Sequence, residues 1–223
     1  MLIDSHSHRA NSGIQIIVNV HTLAVHPWEL KIPFDKKSFD KEWEKIKLTT
    51  EKIYAIGECG LDRVHEGIAD IEDQKYVLSK HFELASERKL PIILHTVRAY
   101  SDLLGMLKSN KFHHPIMLHA YGGNEHEMHE LLKYPTYFTY GKRLFNTDKM
   151  LKITPIDRLL LETGDQDEYS IGDIYKKAAE SLGINQNDLE AQLEKNFLTV
   201  FNKLDDVSAT DFIKDLNSRK TRG

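Results

Sequence analysis

The sequence predicts an α/β fold, a TIM-type (β/α) barrel that is contracted or distorted at its N-terminal strands. Three observations point there. Short apolar runs alternate with longer amphipathic segments along the 223 residues, the pattern of βα units on a parallel sheet. Most runs are apolar at every position, as strands buried on both faces must be. Five of them end on a side chain able to ligate a metal, and the carboxyl ends of barrel strands are where active groups gather.

The candidate strands, in order, are residues 2–6, 14–20, 23–26, 53–58, 92–95, 116–119, 137–140 and 158–162. A helix over 35–48 places Phe39, Trp43 and Ile46 on one stripe, and a second over 71–89 repeats Leu78, Phe82 and Ala85 at helical spacing before Pro91. The helix over 124–133 opens on Asn124 and Glu127, a capping-box pair in which each side chain satisfies an orphan N–H. Helices over 171–182, closing at Gly183, and 188–204, with Leu189, Leu193 and Val200, complete the series. The barrel domain is placed at 1–204. Residues 205–223 are read as a C-terminal extension, a short helix and a frayed basic end.

The opening breaks the alternation. Seven residues separate His6 from Ile14 and two separate Val20 from Leu23, whereas a parallel crossover takes about a dozen. Two helical crossovers therefore do not fit before His26. Either 14–20 and 23–26 form a hairpin, or one of them is not a barrel strand.

Composition sets outer bounds. The formal net charge of −4 argues against gripping nucleic acid by bulk charge, although a local basic groove is compatible with it. One cysteine, Cys59, excludes an internal disulfide framework and fits a reducing compartment. The start shows no basic segment followed by an apolar one, so no secretory signal is expected, and no run of about 18 apolar residues suggests a membrane span. The expectation is a cytoplasmic protein with no membrane contact and no stable protein partner that can be inferred.

All 12 histidines lie at or before His129. His6 and His8 stand two apart at the first strand end, where both can turn inward. Glu58, His95 and His119 close later strands, and an acidic cluster follows 159–161. Imidazole and carboxylate together suit divalent zinc, manganese, nickel or iron, and the oxygen-rich parts also suit magnesium. A glutamate such as Glu58 can bridge two cations for a two-metal hydrolysis by activated water.

These segments resemble the TatD family of metal-dependent deoxyribonucleases, within the amidohydrolase superfamily. The likeness rests on Asp4, His6 and His8; on Val25, His26 and Pro27; on the block from Ala55 through Glu58 to Asp62; and on His95, His119 and Glu162–Thr163. It runs from residue 2 to about 202, with Asn196 and Phe201 similar to the closing helix. The resemblance implies metal ligands at His6, His8, Glu58, His95 and His119, holding one or two divalent cations (Zn, Mn, Mg or Ni).

By position it also places His26 and Asp62 beside the substrate, each with an equal claim to a purely structural role. Arg98, three residues past His95, could clamp a phosphate bidentately or form a salt bridge at a helix start. Lys142 and Arg143 are further phosphate candidates. The departure falls at the last strand, where the family reads Glu-Thr-Asp and this chain has Gly164, with Asp165 one place later and Asp167 a weaker substitute. Glycine frees the backbone, so Asp165 could swing into the site as ligand and proton acceptor beside Glu58.

The implied activity is hydrolysis of phosphodiester bonds in DNA or a small nucleotide-like ester. An amide, lactone or ester hydrolase on the same scaffold is the alternative, weakened because no lysine ends a strand where a carbamylated ligand would sit. A third reading is a catalytically impaired metal-binding barrel. Cys59 is expected to pack in the core and His65 and His81 to be peripheral. His113 and His114 are placed on the far face, His126 and His129 on a solvated helix, and His21 has no role.

Overall fold

A computed structural model describes residues 2–10, 13–49, 51–201 and 208–219. Its strands are β1 (Ile3–Ser7), β2 (Ile14–Ile17), β3 (Thr22–Leu23), β4 (Ala55–Asp62), β5 (Ile92–Val97), β6 (Ile116–Leu118), β7 (Thr136–Tyr140) and β8 (Leu159–Leu161). The helices are α1 (Lys36–Lys47), α2 (Ile71–Arg88), α3 (Tyr100–Asn110), α4 (Glu125–Leu131), α5 (Lys149–Ile153), α6 (Ile171–Leu182), α7 (Gln186–Phe201) and α8 (Ala209–Arg219). Strands β3 to β8 form one parallel sheet in sequence order, and β1 pairs with β2 in parallel. A parallel bridge between Ser7 and Gly164 joins the end of β8 to β1, reinforced by the Ser5 hydroxyl donating to Leu161 O at 2.8 Å. The ring of strands is thus tied except between β2 and β3, which share no ladder among the described residues.

Neither alternative for 14–20 and 23–26 holds: no hairpin forms between them, and each contributes residues to a parallel wall strand. Among the described residues no α-helix precedes α1. Six residues, 8–13, connect β1 to β2, and an extended chain of that length reaches about 20 Å. That is enough to return past a four-residue strand without a helix. Between β2 and β3 there is only the turn 18–21. It is closed by His21 N donating to Ile17 O (2.9 Å) and Ile17 N donating to the His21 Nδ1 (2.9 Å). His21 therefore has a structural duty, and its Nε2 also lies 3.2 Å from Leu216 O of α8.

Two apolar layers hold the wall. Trp43, Leu78, Phe82, Leu103 and Tyr175 pack the helices on its outside. Inside, Ile3, Ile93, Met117 and Leu160 meet Phe197 and Phe201 of α7 and Phe212 and Leu216 of α8. Of the extension, α8 therefore joins the core through Phe212 and Leu216. The proposed boundary at 204 and the basic end beyond 219 lie outside the described residues. The capping box of Asn124 and Glu127 is formed. Helix α3 has no counterpart in the sequence reading: its buried Leu103, Met106 and Leu107 share the stretch with Asp102, Lys108 and a central Gly105, which blur the stripe. No helix among the described residues is long and apolar enough to cross a membrane.

Candidate metal centre

The carboxyl ends of β1, β4, β5 and the segments after β6 and β8 converge on Glu58. Gly60 makes that convergence possible: at φ +152°, a Cβ there would stand 1.9 Å from His95 O. Only glycine lets β4 approach β5 this closely, and Gly60 is in register with His95. Around the buried Glu58 carboxylate, Oε2 lies 3.1 Å from His6 Nε2 and 3.4 Å from His8 Nε2. Oε1 lies 3.1 Å from His95 Nδ1, 3.3 Å from His26 Nε2 and 3.8 Å from His119 Nε2. Each oxygen thus has its own set of imidazoles. The ligand atoms of His6, His8 and Glu58, and separately those of His26, Glu58 and His95, lie within 4.8 Å of one another.

Burial opposes the charge on Glu58, yet the imidazoles of His119, His6 and His26 outweigh it and hold the carboxyl well below the usual carboxylate range. His6 is lowered, first by complete burial and then by the neighbouring His119, so its ring is neutral, the form that binds metal. Burial pulls His119 down too, but Glu162 and Glu58 lift it to about 9.

The donor set fits a divalent cation. Both nitrogens of His6 and Nδ1 of His119 are buried without a hydrogen bond. This holds even though His6 Nε2 touches Glu58, and His119 Nδ1 is 2.7 Å from Glu162 Oε1. Buried polar atoms are rarely left so. Nitrogens that crowd a carboxylate without aligning to it are what ligands around a common cation present.

A second ring of partners fixes these side chains. Asp62 Oδ2 accepts from His95 Nε2 (3.0 Å) and Trp28 Nε1 (2.8 Å), while its Oδ1 accepts from the backbone N–H of Val64 and His65. Asp62 therefore both orders the loop after β4 and orients His95, the carboxylate–histidine arrangement that metal sites use. Burial works against its charge, but those donors bring it to about 2. Glu162, which is not among the ligands the sequence predicts, accepts from Ala120 N (3.1 Å) and from the Thr139 hydroxyl beside His119. The strand-end pattern carried that signal. His81, expected to be peripheral, is fully buried: Nε2 accepts from Val25 N at 2.9 Å and Nδ1 donates to Val77 O at 2.8 Å, steadying the segment that carries His26. Cys59 packs in the core as expected.

The glycine at 164 is aimed at the site, since a Cβ there would lie 3.4 Å from His119 Cε1 and 3.8 Å from Glu162 Oε1. Its backbone is pinned to β1: Gly164 N donates to His6 O (3.0 Å) and accepts at its oxygen from His8 N (3.1 Å). With φ at +63° the chain turns, and Asp165 lines a cleft of about 430 Å³ together with His8, His26, Glu58, His95 and His119. Asp165 is exposed and stands outside both ligand groups. Asp167 is engaged by Arg9 at 2.9 Å and faces a different cavity. Exposed Arg98 and Arg143 line a hollow next to His95 and His119, and Lys142 borders one shared with Asp165. Trp28, on the cleft rim, was not singled out in the sequence.

A parallel barrel with an imidazole–carboxylate cluster at its carboxyl edge has the architecture of a metal-dependent hydrolase. The chain belongs to the TatD related DNase family, whose model matches residues 5–202. It is 32% identical over 142 residues to the uncharacterized metal-dependent hydrolase YabD of Bacillus subtilis, covering 61% of this chain and 55% of that protein. It is 31% identical over 118 residues to the 3'-5' ssDNA/RNA exonuclease TatD of Pectobacterium carotovorum, covering 50% and 45%. The matched region is about half the length of these curated relatives. Among solved structures it resembles YjjV, a TatD homolog from Escherichia coli, with a TM-score of 0.76 at 19% identity, covering 90% of this chain and 98% of that one.

Proposed function

We propose that the protein hydrolyses phosphodiester bonds at the Glu58 cluster, acting on DNA or a small nucleotide-like ester with one or two divalent cations. The observation that carries this reading is the Glu58 carboxylate with imidazoles grouped on each of its oxygens. A relative named as a single-strand exonuclease supports nucleic acid as the substrate class. His6, His8, His95 and His119 with Glu58 would hold the cation, and His26 is placed to join them on the Oε1 side. A divalent cation bound there supplies Lewis acidity toward the phosphoryl oxygen and the attacking water.

The chain's own residues do the rest. Asp165 accepts the proton of the attacking water from its place on the cleft wall. Arg98, with Lys142 and Arg143 on the neighbouring rim, meets the phosphate, and Asp62 keeps His95 directed at Glu58. A cytoplasmic setting agrees with a lone, buried thiol.

The test is hydrolysis of a single-stranded oligonucleotide and of bis(p-nitrophenyl) phosphate with added manganese, magnesium or zinc, set against amide and lactone substrates. Asp165→Ala should lower kcat by about 100-fold or more, the scale of general-base loss, and leave bound metal unchanged. The impaired-barrel reading is favoured by one observation, the glycine at 164 aimed at His119. It prevails if metal binds and no phosphodiester, amide or lactone is cleaved.

A further inference from the structure

Resting on the phosphodiesterase reading, we propose that Trp28, stacked on His65, is a platform for an unpaired nucleobase of the nucleotide whose phosphate enters the cleft. The chain has two tryptophans. Trp43 is 2% exposed in the core, whereas Trp28 is 49% exposed and lines the same cleft as Glu58 and His95. Leaving so much indole in water costs apolar burial that the fold does not recover, so a ligand that covers it gains directly.

The ring is set in place before any ligand arrives. It lies parallel to His65 at 4.3 Å with planes 16° apart, and its Nε1 donates to Asp62. Its centroid is 4.9 Å from that of His26 and 5.4 Å from that of His95, placing it within one nucleotide of the cluster. Val18 and Ala24 extend the apolar wall beside it. A paired base inside a duplex has both faces covered, so an unpaired base is the ligand with a face to offer. The net charge of −4 weakens general attraction for phosphate, which raises the share of binding that stacking must carry.

Fluorescence tests this directly. EDTA-treated protein is titrated with a short single-stranded oligonucleotide and with the same strand carrying an abasic end. Initial rates on both strands are then measured with manganese. The intact strand should quench Trp28 and bind about 5- to 100-fold more tightly than the abasic one, the range of base–aromatic stacking. In Trp28→Ala the preference, in both Kd and KM, should fall to near one, and Trp28→Phe, which keeps a ring without the N–H, should restore most of it. Equal binding of the two strands, absent quenching, or a preference that survives Trp28→Ala overturns the platform. Hydrolysis without base preference removes the platform alone. Base preference without hydrolysis of any phosphodiester supports the platform and removes the hydrolase reading.

Discussion

Glu58 is buried with imidazoles close to both of its oxygens, and a lone carboxylate in that position would cost several kcal/mol. The imidazoles make it tolerable, and a cation would make it favourable. Glu58→Gln keeps the shape and removes the charge. It should lose metal and lower kcat at least 100-fold, read by metal analysis and initial rates. Asp62→Ala takes the acceptor from His95 Nε2 and should weaken metal affinity about 10- to 100-fold, measured by competition with a chelating dye.

His81 carries a different prediction. Burial lowers it from 6.5 to about 4, so between those values the unfolded chain takes up a proton that the folded one refuses. Its contribution to stability is complete above about pH 6.5. It is lost as pH falls toward 4, a swing of about 3 kcal/mol. Urea midpoints should therefore drop over that window in the wild type and less steeply in His81→Phe. Parallel slopes in the two proteins would contradict this assignment.

At the scale of elements, what could be read in the sequence were runs with one dominant signal. Seven of the eight strand segments hold half or more of a strand, 23–26 shares only Leu23 with β3, and β4 and β5 run past Glu58 and His95, to Asp62 and Val97. His6, Glu58, His95 and His119 still meet where the barrel rule puts them. The rest depended on contacts distant in sequence. The parallel pairing of β1 with β2 follows from reach rather than pattern. The roles of His21 and His81 depend on partners in α8 and in the segment after β3. Glu162 was legible as a strand end, but its contacts with Thr139, Ala120 and His119 were not. Helix α8 is the short helix read in the C-terminal extension, and its Phe212 and Leu216 are buried in the same cluster as Ile3 and Leu160. Phe212→Ala should therefore destabilise the fold by about 3–5 kcal/mol in urea unfolding while metal content stays the same.

Taken whole, the molecule is a barrel in which, among the described residues, no α-helix precedes α1, and the cluster end is intact. The wall is tied from β3 through β8 to β1 by the bridge at Gly164, so the residue that departs from the family pattern is also a structural joint. That explains how a glycine can serve there: it keeps the link to His6 and His8 and turns Asp165 toward the cleft. The Glu58 cluster is proposed as a divalent-metal centre that cleaves phosphodiesters. The most direct measurement is the rate of single-stranded DNA hydrolysis by chelator-stripped protein before and after manganese is restored, for the wild type and Glu58→Gln side by side. A divalent-metal centre at Glu58 should give no activity without metal, recovery in the wild type, and at least a 100-fold lower rate in the variant. Equal rates with and without metal, or a fully active Glu58→Gln protein, would contradict it.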